Sequence, residues 1–172
     1  MKSIRIAISI ALLSGWALTA LAAPPAQTAQ AAKPGDIKLQ TLGFQEKVTI
    51  AKDGTKHTDV VPADHVLPGT EVIWNINYEI IGNQPVTDAV ITDPVPQNME
   101  YVAGSAVGEK TEITYSVDGG KTYGTPDSLQ VRNPDGSMRT ALPKEYTTVR
   151  WVLKGTLPSG AKGTVTFHAI LQ

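Results

Sequence analysis

The sequence predicts an all-β domain of two packed antiparallel sheets, preceded by a secretory signal peptide and a flexible linker. Three observations carry this. From residue 36 onward, short segments rich in Val, Ile, Thr, Tyr and Trp recur every 8–12 residues or so, divided by clusters of Gly, Pro, Asn and Asp. Several of them alternate apolar and polar side chains at period two, the repeat of a strand with one buried face. No amphipathic helix intervenes, which argues against the alternating β and α units of a parallel sheet. A closed barrel is the structural alternative.

Residues 1–22 have the three parts of a secretory leader. Lys2 and Arg5 supply the positive start, residues 6–21 are apolar and uncharged, and Ala20-Leu21-Ala22 supplies the small-x-small exit. Cleavage is expected between Ala22 and Ala23, because a cut after Ala23 would place Pro24 directly behind the scissile bond. The competing reading is an uncleaved anchor, since the apolar run is nearly long enough for a hydrocarbon core of about 30 Å. Gly15 and the Ala-rich exit favour cleavage. Residues 23–35 are rich in Ala, Pro and Gln with almost no large apolar side chain, so nothing there offsets the entropy of ordering. They read as a tether to a domain over 36–172.

The chain holds no cysteine, which removes lipid attachment at a thiol, a disulfide framework, thiolate metal sites and thiol catalysis together. Loss of the leader lowers 15 basic residues to 13 against 16 acidic ones, a net charge of −3. That balance speaks against nucleic acid or an anionic membrane as a partner. A domain of this length buries roughly 68–70% of its unfolded surface, enough for a core without covalent staples.

The first strands are expected over 46–51 and 55–61, joined at Lys52-Asp53-Gly54. The clearest strand covers 71–81, where Val72, Trp74, Ile76, Tyr78 and Ile80 share one face and demand a core. Pro68-Gly69 turns into it, and Gly82-Asn83-Gln84-Pro85 leads to a strand over 86–92 that halts at Asp93-Pro94. Tyr101 and Val102 mark a short piece. Residues 111–117 and 121–123 flank Asp118-Gly119-Gly120 as a hairpin. Asn133-Pro134-Asp135-Gly136 is a reversal within a polar stretch expected to be a long loop. Val149, Trp151 and Leu153 then share one face of a strand over 147–154, and Val165, Phe167, Ala169 and Leu171 one face of a strand over 163–171. Trp74 and Trp151 sit in phase with these faces and read as core rings.

Two stretches carry a family likeness. Pro68-Gly69-Thr70-Glu71-Val72-Ile73-Trp74, then Tyr78, the Gly-Asn turn and Val90-Ile91-Thr92-Asp93-Pro94-Val95-Pro96, resemble the opening of the bacterial conserved-repeat surface domain, an immunoglobulin-like repeat of unknown function. Tyr115-Ser116-Val117-Asp118-Gly119-Gly120 resembles its central hairpin. Val149-Arg150-Trp151, Leu157-Pro158-Ser159-Gly160 and Gly163-Thr164-Val165-Thr166-Phe167 are similar to its closing strand pair. The resemblance covers about 66–172 and implies an immunoglobulin-like sandwich used in exported envelope proteins as stalk, spacer or adhesive module, without a catalytic set. The chain departs from the pattern by carrying one copy and an extra hairpin near 37–61, which weakens a stalk role.

No residue pattern points to catalysis, a cofactor or a metal. His57, His65 and His168 follow no paired-ligand spacing, and His57, Asp59 and His65 near one hairpin end read as solvated side chains more readily than as metal ligands. Asp88 and Asp93 lack a calcium loop around them, and Asp93 before Pro94 reads as a turn residue. Lys110, Lys154, Asn75 and Glu79 are the residue types of an intramolecular Lys–Asn amide, but read more readily as exposed solubilising groups. Leu67-Pro68-Gly69-Thr70 is a loop, lacking the apolar tail of a sorting signal.

Two functional expectations follow. One is a structural or adhesive envelope module that meets a surface partner through sheet edges and loops, the strand over 164–171 being the edge to suspect unless it is interior and paired. The other is a soluble periplasmic or secreted binder of a carbohydrate or small ligand, with Tyr123 and Tyr146 at the borders of the long loop as stacking residues. Both place the protein outside the cytoplasm.

Overall fold

The computed structural model describes residues 36–172, so the expectations for leader, cleavage site and tether fall outside the described residues. Eleven strands are present among them: β1 (Ile37–Ile50), β2 (Lys56–Pro62), β3 (Glu71–Ile80), β4 (Val86–Pro94), β5 (Met99–Tyr101), β6 (Val107–Gly108), β7 (Thr111–Ser116), β8 (Gln130–Arg132), β9 (Met138–Thr140), β10 (Thr148–Leu157) and β11 (Lys162–Leu171). The only helical turn among the described residues is a 3-10 turn over Pro143–Glu145. All pairings are antiparallel.

The strands form a six-stranded sheet in the order β2-β1-β3-β11-β5, with β6 also on β11, and a three-stranded sheet in the order β4-β10-β7. Their apolar faces meet in one core. β3 contributes Ile76 and Ile80, β11 contributes Val165, Phe167 and Ala169, and the smaller sheet contributes Ala89, Ile91, Val149, Trp151 and Leu153. The Trp151 and Phe167 rings, 6.2 Å apart, link the sheets at the centre. Val72, at the start of β3, is also buried.

The two remaining members of that inward row of β3, Trp74 and Tyr78, are half-buried, and each lies across a glycine of the neighbouring strand. Trp74 pairs with Gly43 of β1, where an added Cβ would stand 3.3 Å from the indole. Tyr78 pairs with Gly163 of β11, where a Cβ would run into the phenol ring. Rings laid over glycines fill space beside a strand that has no side chain of its own there.

Three expectations need correction. The strands read as a closing pair, β10 and β11, do not pair with each other. They belong to different sheets, and the turn at Leu157-Pro158-Ser159-Gly160 is a corner, held where Gly160 donates to the Ile80 carbonyl at 2.7 Å. The hairpin at Asp118 does not continue into a strand over 121–123. A single bridge joins Tyr115 and Gly124, because the Asp118 carboxylate gathers the Lys121 and Thr122 N–H groups and curls the chain. The polar stretch after Tyr123 is not an open loop. It folds into the β8–β9 hairpin and the 3-10 turn, and Leu129, Ala141 and Tyr146 anchor it in the core.

Candidate interaction site

One surface that the fold leaves uncovered is the ribbon of β1 and β2. β1 changes partner along its length: residues 37–45 pair with β3 and residues 44–50 with β2. β3 begins at Glu71, so β1 has no partner on that side beyond Gln45, and the second half of β1 projects with β2 as a two-stranded arm. Its tip is closed by local chemistry. Ala51 donates to the Thr55 carbonyl at 2.8 Å, Asp53 Oδ1 accepts the Thr55 N–H at 2.9 Å, and Gly54 takes the positive φ of 85° that the reversal needs.

The arm is two-faced. Alternation along the paired strands places Val48, Ile50 and Val60 on one face with Thr58 and Lys56, and Lys47, Thr49, His57 and Asp59 on the other. The three aliphatic side chains are 58%, 65% and 60% exposed, since no second sheet covers that face. In the ladder, Ala51 bonding to Thr55 at one end and Ala63 bonding to Gly43 at the other mark the odd-numbered residues as those turned toward the partner strand. The main-chain groups of Lys56, Thr58 and Val60 therefore face outward along a free edge. β4, an edge of the smaller sheet, is guarded differently: Asp88 (φ 49°) faces both Lys154 and Gly155 in a bulge, and Pro94 ends the strand. Bulges and prolines turn an edge away from foreign strands. Within β2 the pairing with β1 is unbroken.

The other candidate residues are engaged elsewhere. Tyr146 is 4% exposed and stacks on Tyr115 at 4.6 Å, while Tyr101 bonds its hydroxyl to Tyr115 and accepts the Ala106 N–H. A ring so enclosed offers no face to a sugar. Tyr123 is half-buried under the Arg150 guanidinium, 4.9 Å from its ring centre. Of the core positions read from sequence, Val72, Ile76, Ile80, Val149, Trp151, Leu153, Val165 and Phe167 are buried, and Trp74 and Tyr78 are the half-buried pair over glycines.

His57 and Asp59 lie on the arm, opposite Thr49 and Lys47, whereas His65 lies past its base, where its carbonyl accepts from Gln45. Among the described residues no three His, Asp or Glu side chains are placed to hold a metal ion. Asp93 accepts from Thr41 across the two sheets at 3.2 Å, and burial pushes its carboxyl above the usual range. Asp88 accepts from the Gly155 N–H. Lys154 pairs with Glu112 and Glu79 with Lys162, while Asn75 accepts from Thr166, so the Lys154 and Asn75 side chains have separate partners; Lys110 meets Lys154 through its main-chain carbonyl.

Carboxylates shape the loops. Asp118 accepts from the Thr122 hydroxyl at 2.6 Å, from two main-chain N–H groups and from Ser116, and these bonds hold its carboxyl well below the usual range. Glu145 meets Arg139 through two bonds of 2.7 and 2.6 Å and accepts the Leu142 N–H, which brings its carboxyl down to about 2. β11, the strand suspected as a free edge, is interior, between β3 and the short β5 and β6. A groove of about 390 Å³ crosses β1, β3 and β11 beside Lys38, Gln40, Asn77, Glu79, Lys162 and Thr164, and lies open to solvent.

No helix among the described residues is long and apolar enough to cross a membrane. The chain matches no family model, and neither a curated protein nor a solved structure matches it significantly.

Proposed function

We propose that this chain is an exported, non-catalytic envelope protein, an immunoglobulin-like sandwich that acts as a structural or adhesive module through its sheet edges and loops. The observation that carries this reading is the arm: a free main-chain edge beside a row of exposed aliphatic side chains, mounted on a sandwich with one continuous core. An extended strand of another chain gains affinity from main-chain bonds at such an edge and specificity from the alternate side chains beside it. The arm lies outside the stretch that resembles the conserved-repeat surface domain, so it is the part by which this chain would differ from a plain spacer. The loops that could have formed a pocket are instead drawn inward by Leu129, Ala141 and Tyr146.

Protease shaving of intact cells, with blotting of periplasmic, membrane and medium fractions, tests the proposal. Loss of the domain from intact cells, or its recovery with surface material, supports an exposed module. Protection in intact cells with release by osmotic shock sinks it in favour of a soluble periplasmic binder.

A further inference from the structure

The free edge of β2 is complementary to itself, and we infer that its partner is a second copy of this chain, paired antiparallel through β2. The inference rests on the proposed edge-acting role and names the partner. An antiparallel neighbour must set outward-facing residues against outward-facing residues, so Lys56, Thr58 and Val60 can meet only one another or Pro62. Four registers put at least two of them into a ladder. Centring on Asp59 brings two carboxylates face to face at the closer cross-strand spacing of about 4.5 Å. Centring on His57 sets two imidazoles together and leaves Val60 unpaired. Centring on Val60 opposes Thr58 to Pro62, which has no N–H to give.

The fourth register centres on Thr58. It pairs Lys56 with Val60 and sets His57 beside Asp59 of the second copy, twice by symmetry. Every outward N–H and C=O from Lys56 to Val60 is then used, in about six main-chain hydrogen bonds. Asp59 comes to lie between Lys47 of its own hairpin, its cross-strand partner, and the imidazole of the second copy. On the opposite face the two Thr58 side chains meet at the axis, flanked by the two Val48 side chains, and the Lys56 stem covers Val60 of the second copy. The six-stranded sheets of the two copies become one sheet, and the exposed aliphatic row becomes continuous across the junction.

The test is sedimentation velocity over a wide concentration range on the protein produced from the full 172-residue sequence. A reversible monomer–dimer equilibrium is expected. His57→Asp and Asp59→His each put like side chains opposite each other and should weaken the dimer about tenfold, whereas the double variant H57D/D59H should return it to within a factor of about three. Thr58→Pro removes an outward N–H and no main-chain bond to β1, so it should abolish the dimer and leave the melting temperature nearly unchanged. A monomer at every concentration, a dimer indifferent to Thr58→Pro, or a double variant no tighter than the singles each overturns self-pairing. Fractionation of the same variants keeps the two proposals apart. A monomer whose Thr58→Pro variant still loses envelope attachment overturns self-pairing alone, and a dimer whose loss leaves attachment intact overturns the proposed function alone.

Discussion

β3 and the arm share the same local pattern and meet opposite fates. In β3, Val72, Ile76 and Ile80 lie in one period-two row and are each 1% exposed. In the arm, Val48 and Ile50 alternate just as regularly and stay in solvent. The difference lies in what stands above each face. β3 runs beneath the smaller sheet, and the arm runs past the point where β3 begins. Period two therefore specifies a strand, while burial depends on a neighbour supplied from far along the chain. An apolar face without that neighbour is surface available to another molecule.

Substitutions can break or sharpen this contrast. Trp151→Ala empties the centre of the shared core and should cost about 3–5 kcal/mol of unfolding free energy in a denaturant titration. Gly163→Ala forces a methyl against the Tyr78 ring and should cost about 1–3 kcal/mol, and adding Tyr78→Ala should make the glycine change nearly silent in a double-mutant cycle. A glycine substitution that costs nothing alone would show that the ring does not lie over β11.

Glu145 gives a pH prediction. Its carboxyl titrates lower in the folded protein than in the unfolded chain, so its contribution is complete above the ordinary value of 4.5 and fades as pH falls toward 2. Protection of the Leu142 amide, its exchange measured against the intrinsic rate at the same pH, should therefore fall through that window, and Glu145→Gln should flatten the dependence. The smallest effect belongs to the arm: Val48→Thr should change the stability of the monomer by less than about 0.5 kcal/mol, by the same titration used for Trp151→Ala.

Turns were legible in the sequence wherever one residue's side chain closes them. Asp53 with Gly54 makes the arm's reversal and Asp135 makes the β8–β9 reversal, because in each case the carboxylate reaches a main-chain N–H two residues on. Asp118 shows the limit of that legibility. Its turn was readable, but the number of groups it gathers was not, and the strand expected after it is absent. The arm was legible as a hairpin and illegible as a surface, since Val48, Ile50 and Val60 carry the same signal as core residues. A hint lay in the charges and histidine of β2, which leave it little more than one apolar side chain on each face.

By itself the sequence determined the all-β character and most of the main strands with their inward faces, though not the first half of β1, because alternation, β-branching and turn chemistry act within a few residues. Only the tertiary structure decided that β10 and β11 part into different sheets, that the stretch after Tyr123 anchors in the core, and that β1 outruns β3 to leave an open edge. Those outcomes depend on pairings between residues far apart in the chain, and no local pattern records which strand will arrive to make them.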